Sequence, residues 1–317
     1  LRRYQLLLKK DSKTSLKNIV EMAKSGYDEA KYVYATLLEE GKYCKKNMLE
    51  ARKFYQEATK LHHLKSMLRY GKLLKVEDQK SAFILFKEAA ERGLPIAQYH
   101  YARILEMGGA EEEAIVYYKK AVDAGIVKAM FRYGRIHEIS TSIKKSYRTS
   151  LYYYKLAAKK GYAKAQNNCG RLYELGLGVS KPNKELAVSL YKKAADQGNV
   201  IALHNYARAL EKGIGIQKDE AKSASIYKKL ADDDPDDGLA QYNYARMCHN
   251  GIGLAENLEE AGKYYLLAID NNIAEAKQNY GVMLFNKFHK WNEAAKFFEM
   301  AVSGNGGQPS AKYNYAQ

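Results

Sequence analysis

The 317-residue chain reads as an all-α protein, a solenoid of about nine helix-turn-helix repeats. Three observations predict this. A small residue recurs at Ala30, Ser66, Ala97, Ala129, Ala165, Ala202, Ala240, Ala276 and Ala311, in steps of 31 to 38 residues. Four residues after each stands Tyr34, Tyr70, Tyr101, Tyr133, Cys169, Tyr206, Tyr244, Tyr280 or Tyr315, and the next residue is always Gly or Ala. Steps of four place these residues on one helical stripe, and a position restricted to Gly or Ala marks a close helix approach. Finally, no sustained apolar-polar alternation signals strands, and the four prolines, Pro95, Pro182, Pro235 and Pro309, all lie near turns.

Taken in order, the chain opens inside a repeat. Ser15, Ile19, Met22 and Gly26 occupy the register of Ala187, Tyr191, Ala194 and Gly198, so residues 1–29 are the second half of a preceding unit. Each later repeat has a second helix marked by Tyr55, Phe86, Tyr118, Tyr154, Tyr191, Tyr227, Tyr265 or Phe298, with Ala or Ser four residues before it. The inner turns vary. Repeats five to seven carry Gly176 and Gly178, Gly213 and Gly215, Gly251 and Gly253; repeats two, three and eight shorten the turn. In repeat four a hydroxyl-rich basic loop from Ile139 to Ser150 takes its place, read as surface variation with a phosphorylation-sensitive switch as the functional alternative. Asp232 to Asp237 lacks the glycine and glutamate of a calcium loop and reads as an inter-repeat turn whose last Asp caps a helix. The chain closes within a first helix at Gln317, so both ends are expected to be cut within a repeat of a longer protein. A hairpin with one apolar face is stable only against its neighbours, so residues 1–317 are expected to form a single array.

The pattern LxxAxxxYxKAAxxGxxxA, with GxG in the inner turn, resembles the Sel1-like repeat, a relative of the tetratricopeptide repeat. The resemblance implies a right-handed α-solenoid. It also implies a non-catalytic scaffold or adaptor that binds proteins with the concave face of the array, within a signalling, degradation or assembly complex. The resemblance does not choose among partners.

Composition narrows the class. No apolar run approaches the roughly 18 to 20 residues of a membrane span. The three cysteines, Cys44, Cys169 and Cys248, lack the regular pairs that staple a secreted branch of the resembled family, which favours reduced, cytoplasmic surroundings. The lumen of the endoplasmic reticulum is the alternative if a signal peptide precedes this segment. A net charge of +16 raises RNA or another polyanion as an alternative partner. Sequence-specific reading of RNA is disfavoured, because the positions that would read bases vary little through repeats three to seven; non-specific phosphate binding would fall steeply with salt.

The candidate site lies opposite the core stripe. Counting from the small residue, offset six reads Lys72, Arg103, Arg135, Arg171, Arg208 and Arg246 through repeats two to seven. Offset two places Tyr99, Phe131, His204 and Tyr242 one turn earlier, where a ring can support a guanidinium. These ten residues are expected to form a basic, aromatic-studded groove for a protein or peptide, acidic or phosphorylated. The structural alternative is that Arg103, Arg135, Arg171 and Arg208 pair within their own helices with Glu106, Glu138, Glu174 and Glu211, each three residues on. Arg246 and Lys72 lack such a glutamate and are therefore the favoured anion sites. No catalytic motif, zinc spacing or nucleotide cradle is present, so neither catalysis nor a cofactor is expected.

Overall fold

A computed structural model describes residues 12–303. The expected ninth repeat start, with Ala311, Tyr315 and the Gln317 terminus, lies outside the described residues, as does the stretch before Ser12. Within them the secondary structure consists of seventeen helices. The chain divides into two compact units, residues 1–157 and 158–317.

The first unit contains α1 (Ser12–Lys24), α2 (Asp28–Glu40), α3 (Met48–Lys60), α4 (Leu64–Leu74), α5 (Gln79–Glu91), α6 (Pro95–Met107), α7 (Glu111–Asp123), α8 (Val127–Ile139) and most of α9 (Tyr147–Lys159). The second contains α10 (Ala163–Leu175), α11 (Lys184–Ala195), α12 (Val200–Lys212), α13 (Glu220–Asp233), α14 (Gly238–Asn250), α15 (Leu258–Asp270), α16 (Ala274–Phe288) and α17 (Trp291–Ser303). From α1 to α8, and again from α10 to α17, every helix packs on its chain neighbour, so each unit is a run of hairpins stacked in sequence order.

The two recurrent residues that define the repeat meet inside each hairpin. Ala30, Ala97, Ala165 and Ala240 have no solvent exposure, and Tyr55, Tyr118, Tyr154, Tyr191 and Tyr265 on the second helices are buried as well. Where the restricted position is glycine, the aromatic ring of the same hairpin rests directly on it: a Cβ at Gly170 would stand 2.7 Å from the Tyr191 ring. A second ring pair locks five of the hairpins edge to face. Tyr34 meets Phe54, Tyr101 meets Tyr117, Tyr133 meets Tyr153, Tyr244 meets Tyr264 and Tyr280 meets Phe297, with centroids 4.6 to 5.0 Å apart. Such pairs add about 1 kcal/mol each beyond their burial, which explains why tyrosine rather than leucine fills the position.

The turns are capped by side chains. Asn47, Asp78, Asn183, Asp219 and Asn257 each accept the backbone N–H three residues on, starting the second helices. Asp237, at the end of the acidic turn, does the same for α14 through Ala240 N–H at 2.9 Å. In the hydroxyl-rich loop, the Ser140 hydroxyl contacts Glu111 and accepts the backbone N–H groups of Ser142 and Ile143, while Ser146 accepts from Thr149 at the start of α9. Those two hydroxyls therefore hold the loop in shape.

Candidate functional site

Repeats one, three and five share a network centred on the glutamate at offset nine of the first helix. In repeat one the Tyr55 hydroxyl donates to Glu39 at 2.6 Å, and Arg69 of the next hairpin reaches the same carboxylate at 3.5 Å. In repeat three Tyr118 donates to Glu106 at 2.6 Å, and Arg132 approaches at 3.3 Å. In repeat five Tyr191 donates to Glu174 at 2.8 Å, and Arg208 closes on both carboxylate oxygens at 2.8 Å. Arg246 holds Glu211 in the same way, also at 2.8 Å, beside the buried Tyr227. Burial and the neighbouring carboxylate push the Tyr55, Tyr118 and Tyr191 hydroxyls above the usual phenol range, so they stay protonated donors.

These pairings correct the expected ones. Arg208 bonds the glutamate of the hairpin before it and not Glu211, while Glu106 receives Tyr118 and Arg132 rather than its own-helix Arg103. Arg246, expected to lack a glutamate and to be a favoured anion site, is bound to Glu211, with both side chains largely buried. Helical spacing counts only neighbours on one helix, whereas stacking sets the next hairpin's arginine closer than the one three residues away.

The offset-two aromatics are also placed differently. Tyr99 and Phe131 are each only 8% exposed, too covered to serve as open contact surface. Their rings pack on the buried tyrosine of their own hairpin: Tyr99 on Tyr118 at 6.1 Å and Phe131 on Tyr154 at 5.5 Å. Tyr242 on Tyr265 and His204 on Tyr227 repeat the arrangement at 6.4 and 5.9 Å. Polar residues at offset three then tie on from the following hairpin, as Asn279 does by donating to the Tyr242 hydroxyl at 3.1 Å.

In the second unit α12, α13 and α14 enclose a hollow of about 480 Å³. Its walls carry His204, Arg208, Arg246, Asn205, Asn243 and Leu239. His204 Nε2 lies 2.8 Å from Asp237, the cap of α14, which fixes the ring; its buried Nδ1 has no hydrogen-bond partner among the described residues. Of the ten residues expected to form the site, the structure thus brings His204, Arg208 and Arg246 to one hollow. Lys72 and Arg103 lie with Lys75, Lys128 and His100 in the first unit. Arg135 is half-buried on α8, and Arg171 acts electrostatically on Tyr191. Sequence reasoning missed Asn205, Asn243 and His100, all at offset three and all half-buried.

His100 is the most perturbed histidine. Burial, and then the charges of Lys72, Arg103, Lys75 and Lys128, push its pKa down to about 4 from an ordinary 6.5. Between those two pH values the unfolded chain holds the proton and the folded chain does not, so stability falls as pH falls through that window. For a half-buried ring the loss amounts to roughly 1 to 2 kcal/mol. Urea midpoints measured from pH 7 to 4 are expected to fall less steeply in His100→Gln than in the parent chain; equal slopes would refute the assignment.

Among the described residues no group of three or more His, Cys, Asp or Glu side chains could hold a metal ion, and no helix is long and apolar enough to cross a membrane. Stacked two-helix repeats whose polar face is held by carboxylate-centred networks define a helical-repeat protein of the interaction-scaffold class. The chain belongs to the Sel1 repeat family: the Sel1 repeat matches seven times, over residues 28–63, 66–94, 95–126, 127–162, 163–199, 200–235 and 238–273. Proteins of this family are generally protein-interaction scaffolds and typically non-enzymatic.

Two solved structures show the same fold. A protective antigen present in uropathogenic Escherichia coli strains, with an SLR fold, is 22% identical with a TM-score of 0.62 and covers 95% of this chain and 73% of its own. A Sel1 repeat protein from Oxalobacter formigenes is 24% identical with a TM-score of 0.64 and covers 84% of this chain and 78% of its own. A comparison with curated protein sequences gives no match.

Proposed function

We propose that the chain is a non-catalytic scaffold that binds a protein partner with the face its first helices present, and that the α12–α14 hollow is one contact region. The observation that supports this reading is the order already built into the hollow. Arg208 and Arg246 are fixed by Glu174 and Glu211, and His204 by Asp237, so a partner meets polar groups that need little further ordering. Leu239 and Asn243 at the rim supply apolar and amide contacts. Most of the surplus lysines, such as Lys192 and Lys229, are exposed on second helices and act as a solvated face.

Photo-crosslinking amino acids at Leu239 and Asn243, compared with Lys192 and Lys229, test the reading. In native extract at about 0.3 M salt, where screening suppresses loose polyanion contacts, discrete protein adducts are expected from the first pair and not the second. Adducts from all four positions alike, or only to RNA, would overturn it.

A further inference from the structure

The carboxylate network is broken in repeat two, and it is broken at both of its ends together. The tyrosine of the second helix is Phe86, which has no hydroxyl to donate, and the glutamate at offset nine is Lys75. Repeat eight shows the same coupling, with Phe298 for the tyrosine and Phe285 for the glutamate. There offset six of the following repeat is Gln317, so no cation is left over. In repeat two the cations remain. Arg103, whose counterparts Arg208 and Arg246 bond the glutamate of the preceding hairpin, faces a hairpin that offers Lys75 in its place.

Lys72, Arg103 and Lys128 come from three successive first helices, α4, α6 and α8, Lys75 is the C-cap of α4, and all four charges act on His100 between them. Among the described residues no carboxylate lies within ion-pair distance of any of the four. The nearest acidic influence on Lys72 is Glu39, which already holds Arg69 and Tyr55. Lys72, Lys75 and Lys128 are exposed, so their heads reach solvent. His100 stacks on Phe86 with ring centroids 5.3 Å apart and stays neutral near pH 7, so it adds an N–H donor without adding charge.

We propose that Lys72, Lys75, Arg103 and Lys128 form a binding site for an acidic segment of a partner protein, a run of carboxylates or a phosphorylated side chain. In repeats one and three to six this position is filled by an internal glutamate; here an external carboxylate or phosphate takes its place. A peptide fits better than a nucleic acid because the uncompensated charge is confined to one patch, flanked by Arg69 and Arg132, which Glu39 and Glu106 neutralise, rather than extended as a stripe along the face. The proposal rests on the scaffold reading only in taking the anion from a protein.

The test uses fluorescein-labelled hexaglutamate and phosphoserine peptides, with a single-stranded RNA of equal charge as the third arm, read by anisotropy on the full chain. Peptide binding should weaken at least tenfold in Lys72→Gln/Lys75→Gln/Arg103→Gln. A second variant, Phe86→Tyr/Lys75→Glu, rebuilds the tyrosine, glutamate and arginine network of the other repeats. It should lose binding while its urea midpoint stays at or above the parent's, so the loss is not unfolding. The better-bound peptide distinguishes carboxylate from phosphate. No peptide binding by the parent chain, unchanged affinity in the rebuilt variant, or RNA bound more tightly than both peptides would each overturn the proposal. The crosslinking at Leu239 and Asn243 is a separate measurement, so either reading can fail while the other stands.

Discussion

Gly253→Ala is expected to destabilise the second unit by about 4 kcal/mol or more. Two costs combine. The residue sits at φ +71°, where an alanine costs about 1 kcal/mol. Its Cβ would also stand 2.2 Å from the carbonyl carbon of Glu220 at the start of α13 in the preceding hairpin, and backbone cannot yield as a side chain can. Gly253 is thus a contact between hairpins as well as a bend, and Gly215 abuts the Lys184 carbonyl in the same way. Gly198→Ala is the control: it has a similar φ of +77° but nothing within 4 Å, so it should cost only about 1 kcal/mol. Urea unfolding followed by circular dichroism reads both. Because stacked repeats couple mainly to their neighbours, the Gly253 variant should also show an early transition as the hairpins after α14 come loose. Similar costs for the two variants would remove the contact explanation.

Glu174→Ala should cost about 3 kcal/mol, far more than an exposed ion pair is worth. The carboxylate accepts the Tyr191 hydroxyl and both contacts from Arg208, and its side chain is only 15% exposed, so its removal strands a buried hydroxyl and a half-buried guanidinium. Tyr191→Phe alone should cost about 1 kcal/mol. The natural pairing in repeat two suggests the coupled change: Tyr191→Phe with Glu174→Lys should be less damaging than the sum of its two single changes, because the lost donor no longer needs an acceptor. A double-mutant cycle in urea measures that coupling. Strict additivity would show that the hydroxyl and carboxylate act independently.

The hairpin register was legible because it is written in local spacing. Ala165, Cys169 and Gly170 lie within two turns of one helix, and their burial follows from period alone. The first-helix wheel was less reliable at offset two. It set Tyr99 and Phe131 opposite the core, but the second helix carries a side chain as long as Tyr118 or Tyr154, which reaches round and covers them. The helix caps were legible in retrospect, since Asn or Asp stands just before the second helices that begin at Met48, Gln79, Lys184, Glu220 and Leu258.

By itself the sequence determined the helical repeats, their boundaries, their family and the small and aromatic residues that interlock, because each depends on neighbours a few residues apart on one helix. Only the tertiary structure decided which glutamate each arginine takes. Arg208 and Glu174 are 34 residues apart, and Arg246 and Glu211 are 35. That choice is made when one hairpin settles on the last, since charge pairing follows distance in space, and distance across stacked repeats is not encoded in any helical period.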